Sequence, residues 1–406
     1  MRDAFCLDPD VIHLNHGSFG AVPRVVAEQQ RRVQRRADEN PMRFFRVELP
    51  GLKEHAREVA ARFLGVGADE LALVRNVTES VATVLASLAW QRRLGPGDVV
   101  LTTEQGYGAV QLAVRHWCER TGAAYDVVPL PVDATPEQVV EAHRVALSRV
   151  AARGDAVRLV IVDQITSPTG ALLPVAPICA LAHERGALAF VDGAHVPGHV
   201  PVRPPATGAD FWTGTWHKWG FAPRGTSALW VAEQERGSIG PVTTSWNHGR
   251  PFPWPFDTHG TDDYSGWLSL EAAVSFWEQA GGFGIGERAR ALLDAGASVV
   301  AAAVRSTRLP LTPVDLPPAP APCLRLVALP DGVAADEESA DAVYLALSDR
   351  GVETQVVAHD GRGWLRLSAA AYNEASDYQR LAEVLPEVLC GVRRRAADRR
   401  STSAGR

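Results

Sequence analysis

Residues 187–231 read ALAFVDGAHVPGHVPVRPPATGADFWTGTWHKWGFAPRGTSALWV, and three short apolar runs in this stretch decide the fold. Ala187–Asp192, Phe211–Thr213 and Thr226–Val231 are too short for stable helices and read as strands. Their apolar residues run on without alternating with polar ones, so both faces are buried and helices cover the sheet on each side. The same pattern recurs upstream in Val99–Thr102, Ala124–Pro129 and Arg158–Asp163, separated by amphipathic stretches Gly108–Thr121, Pro136–Ala152 and Ala176–Arg185. Strands alternating with helices imply an α/β fold with a mainly parallel sheet. Sites in such folds lie beyond the carboxyl ends of the strands, so the residues just past each strand are the ones to read.

Outward from this centre, residues 24–40 read as a surface helix, and Leu52–Leu64 as a second that closes near Gly65 and Gly67. Residues 240–265 are rich in Trp, Pro, Gly and His without periodicity, as in a long ordered loop. A helix is expected over Gly266–Ala303. The Pro-rich Leu309–Pro322 then leads into strand Leu324–Leu329, helix Ser339–Arg350, strands Val352–Val357 and Gly363–Ser368, and a last helix over 374–390. The expected division is an N-terminal segment 1–20 lining the site, a large domain 21–284, a small α+β domain 285–392 and a basic flexible tail 393–406.

A net charge of -6 gives no reason to expect nucleic acid or an anionic membrane as partner. No apolar run reaches the length of a membrane span, and Met1–Gly20 lacks the pattern of a signal peptide. Cys6, Cys118, Cys179, Cys323 and Cys390 stand singly, without metal-type spacing, which fits a reducing cytoplasm.

Two strand ends carry the chemistry. One strand ends in Asp192-Gly193-Ala194-His195, and the next runs into Thr215-Trp216-His217-Lys218, placing a lysine 26 residues after the carboxylate. This pair suits pyridoxal 5′-phosphate. A buried Asp keeps the pyridine nitrogen protonated by ion pairing, and a lysine in a low-dielectric pocket gives up its charge to form an imine. The bland reading of Asp192 is a helix cap. His195 and His199, four apart, suggest a metal pair, but no third strong ligand is near in sequence, so no metal is expected.

The stretch just quoted resembles the class V aminotransferase family of fold-type I pyridoxal phosphate enzymes, in its isopenicillin N epimerase-like branch. LNHGSFGAVPRVV, NPMRFFRVELPGL, NVTES and SPTG follow the family's order, and the resemblance covers about Leu14 to Asn373. It implies an aspartate aminotransferase-like large domain with a small C-terminal domain. It makes Lys218 the Schiff-base lysine and Asp192 the partner of the ring nitrogen. His195 and Ser167 fall near the ring oxygen, and Tyr107 on the ring face. The phosphate falls to Asn76, Val77 and Thr78 at a helix N-terminus, with Thr215 and His217. Arg366 in WLRLSAAAYN corresponds to the arginine that clamps the substrate carboxylate; Asn15, His16 and Arg43 are candidates to line the substrate. Thr261 in HGTDDYSG resembles the residue that reaches the neighbouring subunit's phosphate, which implies a homodimer.

The implied activity is proton removal at Cα of an amino acid, followed by epimerisation or by loss of a β-substituent as in C–S lysis. Transamination stays open, as does a pyridoxal phosphate-binding protein without turnover. Desulfurases that hand sulfur to an acceptor carry a Cys ahead of the clamping arginine, and Val356–Arg362 has none.

Overall fold

The computed structural model describes residues 1–403, with side chains through Arg395. In chain order its strands are β1 (Ile12–His13), β2 (Leu71–Val74), β3 (Asp98–Thr103), β4 (Ala124–Val128), β5 (Ala156–Asp163), β6 (Leu188–Gly193), β7 (Phe211–Thr215), β8 (Ser227–Val231), β9 (Leu324–Ala328), β10 (Val352–Glu353), β11 (Gln355–His359) and β12 (Arg362–Ser368). Seven form one sheet in the order β2–β8–β7–β6–β5–β3–β4. β7, β6, β5, β3 and β4 run parallel, while β8 is antiparallel to both its neighbours. β2, with all four residues buried, is a strand beyond those expected from the apolar runs.

Alternate residues of each strand enter opposite cores. Val100, Leu159, Ile161, Phe190, Phe211 and Leu229 pack on one side; Leu101, Val160, Val162, Val191, Trp212 and Ala228 pack on the other. This two-sided burial explains the unbroken apolar runs. The chain leaves β3 for β4 at the sheet edge and returns as β5 on β3's other side. That reversal opens a crevice between the carboxyl ends of β3 and β5.

β11, β12 and β9 form a separate antiparallel sheet, and β1 pairs in parallel with β10. The segment after β1 connects the two sheets. The Ser368 amide donates to the Leu14 carbonyl, and the His16 amide to Ser368 Oγ at 2.8 Å. Gly20 then passes so close to the lysine loop that a Cβ would lie 2.5 Å from the His217 and Lys218 carbonyls.

Several boundaries differ from the sequence expectation. The helix expected from Leu52 starts at Leu49 and is preceded by helical turns from Pro41, where Asn40 Oδ1 accepts from the Arg43 amide. The helix expected over Gly266–Ala303 is two, Leu270–Gln279 and Gly284–Ser306, because Gly281 and Gly282 between them take positive φ. The strand expected over Val352–Val357 divides at Thr354, since its halves pair with different partners. The last helix, expected to end at 390, is Ala375–Ser403; of the expected flexible tail, 404–406 lie outside the described residues. Among the described residues no helix is long and apolar enough to cross a membrane.

Candidate active site

β5 ends on Asp163 and β6 carries Asp192 one residue before its end, and the two are register partners. Partners in a parallel pair present side chains to the same face, so both carboxyls stand side by side at the floor of the crevice. Both residues are buried, at 3% and 5% exposure. Burial raises the pKa of Asp163 well above the usual range, and the Asp192 charge raises it further. Burial also raises Asp192, against the Ala194 amide that donates to its Oδ1 at 2.9 Å. The Lys218 charge offsets this only in part, and neither carboxyl is in an ion pair among the described residues, so the pair suits a positively charged group above it. Asp163 was absent from the expected site. The signal was present: LVIVD at 159–163 and LAFVD at 188–192 are the same strand ending in the same residue.

The loop after β7 supplies Lys218. Its amine lies 3.2 Å from His195 Nε2, and burial pulls its pKa down to about 8 despite the opposing pull of Asp192. Neutral amine is thus available near physiological pH. His195 is held well below its usual pKa by burial and then by Lys218, so the ring is uncharged. Trp219 Nε1 donates to its Nδ1 at 3.3 Å.

A cavity of about 790 Å³ opens over these groups. One wall is the N-terminus of helix Val77–Trp90. Asn76 caps it by accepting from the Glu79 amide at 2.9 Å, leaving the first amides toward the cavity that Asn76, Val77 and Thr78 line. Arg75, Thr215, His217 and Arg224 also line the cavity. Helix dipole, amides and guanidinium groups make this wall an anion site. His217 Nδ1 is buried without a hydrogen-bond partner among the described residues. Tyr107 lines the cavity and is 46% exposed, so it is not a core residue. Ser167 lines it too.

Arg366, on β12, reaches the cavity with only 2% exposure. Nη1 donates to the Ser167 carbonyl, and Nη2 to Asn15 Oδ1 at 2.9 Å and Ser18 Oγ at 3.0 Å, while Nε is buried without a partner among the described residues. Burial lowers its pKa to about 10, which leaves it cationic at neutral pH. No carboxylate pairs with it among its hydrogen bonds, so it is a buried cation awaiting an anion.

Four expected residues stand apart from the cavity lining of their own chain. Asn15 orients Arg366 instead of facing the cavity. His16 lies behind the lysine loop: Nε2 donates to the Lys218 carbonyl at 2.9 Å, and Nδ1 accepts from the Ala21 amide at 3.3 Å. It backs the lysine loop and is not among the residues that line the cavity. Arg43 is exposed and pairs with Glu48 at 3.1 Å. Thr261 is exposed on the 240–265 loop. His199, the other member of the suspected metal pair, uses both nitrogens internally, toward the His195 carbonyl and from the Cys323 amide.

The arrangement fits pyridoxal phosphate. An anion cradle, a lysine amine and an acid floor surround one cavity, in the order its phosphate, carbonyl and ring nitrogen require. The comparisons agree. Residues 25–310 match the class-V aminotransferase family. The chain is 31% identical to an isopenicillin N epimerase of Amycolatopsis lactamdurans, over 95% of this chain and 97% of that one. It is 30% identical to a putative L-cysteine desulfhydrase 1 of Oryza sativa subsp. japonica, over 93% of this chain and 83% of the relative. In fold it is similar to the apo cysteine desulfurase of Thermococcus onnurineus, with TM-score 0.73, 19% identity and coverage of 96% and 97%. The protein is a fold-type I enzyme. It belongs to the class V aminotransferase family, and its cofactor is pyridoxal phosphate.

Proposed function

We propose that the enzyme removes the Cα proton of a free α-amino acid and then releases a β-substituent, as a C–S lyase does. The observation that carries this reading is the 3.2 Å contact between Lys218 Nζ and His195 Nε2. A base and a neutral proton donor lie side by side, so one group takes the Cα proton while the other serves the departing sulfur. The cofactor, when bound, supplies a carbonyl for covalent attachment and a protonated ring that takes up electron density from Cα. Lys218 is the attachment amine and the base. Asp192, backed by Asp163, holds the proton on the ring nitrogen. Val77, Thr78 and Thr215 hold the phosphate with the wall around them. Arg366 binds the substrate carboxylate and so fixes rotation about the N–Cα bond.

Epimerisation is the second reading, and the sheet order favours it. Lys218 follows β7 and Tyr107 follows β3, with Asp192 on β6 and Asp163 on β5 between. Tyr107 therefore stands across the carboxyl pair from Lys218, where an acid on the opposite face of Cα belongs. Persulfide transfer is disfavoured. Val356, Val357 and Ala358 line the cavity on the β11–β12 hairpin without a Cys, and Cys323 is buried with its pKa pushed up to about 12.

Two further parts of the reading concern assembly and setting. Met42, Val47 and Trp246 are 69%, 63% and 92% exposed beside Arg43 and along the 240–265 loop. Apolar surface of this kind fits a homodimer in which Thr261 reaches the partner's phosphate wall. Residues 285–392 act as a small domain that carries Arg366 over the cofactor. Five free cysteines suit a reducing cytoplasm.

Incubation of holoenzyme in heavy water with L-cysteine S-conjugates and other L-amino acids separates the fates. Pyruvate and a released thiol are expected. Deuterium at an inverted Cα with the side chain intact would transfer the assignment to epimerisation; a keto acid that keeps its side chain would make the enzyme a transaminase.

A further inference from the structure

Trp219 is 3% exposed and packs against two histidines, with ring centroids 4.5 Å from His199 and 5.2 Å from His16. Packing alone would account for a large side chain here. Its indole nitrogen does something more specific. An indole N–H only donates, and it points at His195 Nδ1 at 3.3 Å. Nδ1 must therefore present a lone pair. A neutral imidazole whose Nδ1 is bare carries its proton on Nε2. That Nε2–H faces Lys218 Nζ at 3.2 Å. An ammonium has three donors and no acceptor, so Nε2–H meets it as donor against donor. A free amine accepts the proton and relieves the conflict.

We infer that Trp219 is a positioning residue that fixes His195 as the Nε2–H tautomer and thereby keeps Lys218 an uncharged, nucleophilic amine. Neither role belongs to the packing of the indole face, and both are lost with one N–H. The inference rests on the reading of Lys218 as attachment amine and explains how that amine is made ready.

The remaining charges around the pair do not impose the same order. Asp192 from β6 and Asp163 from β5 favour a protonated Lys218, and Arg366 from β12 opposes it. Around His195 the cations are Lys218 and Arg366. His199 and His217 stay neutral, with pKa values lowered to about 3 and about 4 by burial. His16 touches the lysine only at its backbone carbonyl. The carboxylates pull a proton toward the amine, and the Trp219–His195 chain turns a proton donor against it.

Nitrogen NMR of the apoenzyme labelled in its imidazole nitrogens tests the tautomer directly, with His195→Gln identifying the resonance. A protonated Nε2 and bare Nδ1 are expected, and a proton on Nδ1 would overturn the inference whatever any variant does. Trp219→Phe keeps an aromatic ring, smaller than the indole, and removes the N–H. It should raise the pH midpoint for covalent capture of pyridoxal phosphate by about one unit, which slows capture about tenfold at pH 7. In a His195→Gln background the same substitution should leave the midpoint where it was. An unshifted profile in the single variant, or an equal shift in both backgrounds, would make Trp219 a packing residue only. Failure of the attachment reading looks different: the captured cofactor would then not be on Lys218, while the tautomer result would stand.

Discussion

Replacing Arg366 by lysine separates a carboxylate clamp from a merely buried cation. Guanidinium and ammonium carry the same charge, so the net field over the cofactor changes little. Geometry changes greatly. Three of the five N–H groups are engaged, by the Ser167 carbonyl, Asn15 Oδ1 and Ser18 Oγ, which fixes the plane of the group. The buried Nε–H and one Nη1 hydrogen remain for an anion. A lysine has one nitrogen for all of these partners and cannot keep the anchors while meeting a carboxylate at two points. Loss of one charge-assisted contact, worth about 1.5–3 kcal/mol, lowers kcat/KM by about ten- to a hundredfold. The assay compares an amino acid with its α-amide, in wild type and in Arg366→Lys. Wild type should strongly prefer the free acid, and the variant should lose that preference while its cofactor absorbance stays normal. Unchanged kinetics on both substrates would show that the carboxylate is bound elsewhere.

The other predictions concern the floor, the amine and the assembly. Asp192→Asn should retain the fold and lose turnover by several orders of magnitude, whereas Asp163→Asn, which removes the supporting carboxyl, should lose no more than about a hundredfold; equal losses would contradict the assigned order. The lowered pKa of Lys218 places its nucleophilic form above about pH 8, so capture of pyridoxal phosphate by apoenzyme should fall about tenfold per unit below that and level off above it. A midpoint near that of ordinary lysine would refute the burial argument. Thr261→Ala should weaken cofactor retention in a dimer, and a fully active monomer in sedimentation would remove Thr261 from the site.

Legibility followed covalent neighbourhood. Asp192, His195 and Lys218 were readable because each sits just past a strand whose apolar run marks it. Asn76–Thr78 were readable as a helix start and Arg366 through its motif. What escaped depends on pairing between distant segments. Asp163 becomes a site residue through its register with Asp192. Ser18 acquires a role only where the N-terminal segment crosses Arg366, 348 positions away. His16 was expected in the site and lies one layer behind it, since sequence gives proximity without direction. The split of Val352–Val357 was invisible for the same reason: a strand's period does not name its partners.

The central claim is that Lys218 carries the cofactor, and the chain offers its own control. Its two lysines are Lys53 and Lys218. Burial pulls both down to about pH 8, so lowered basicity alone does not choose between them. Geometry does. Lys53 donates to the Asp257 carbonyl and lies 4.1 Å over the Tyr264 ring, while Lys218 lines the cavity between the carboxyl floor and the anion wall. Holoenzyme reduced with borohydride, digested and analysed by mass spectrometry should carry the pyridoxyl phosphate mass on the peptide containing Lys218. The label on the Lys53 peptide, or on neither, would contradict the account at its base.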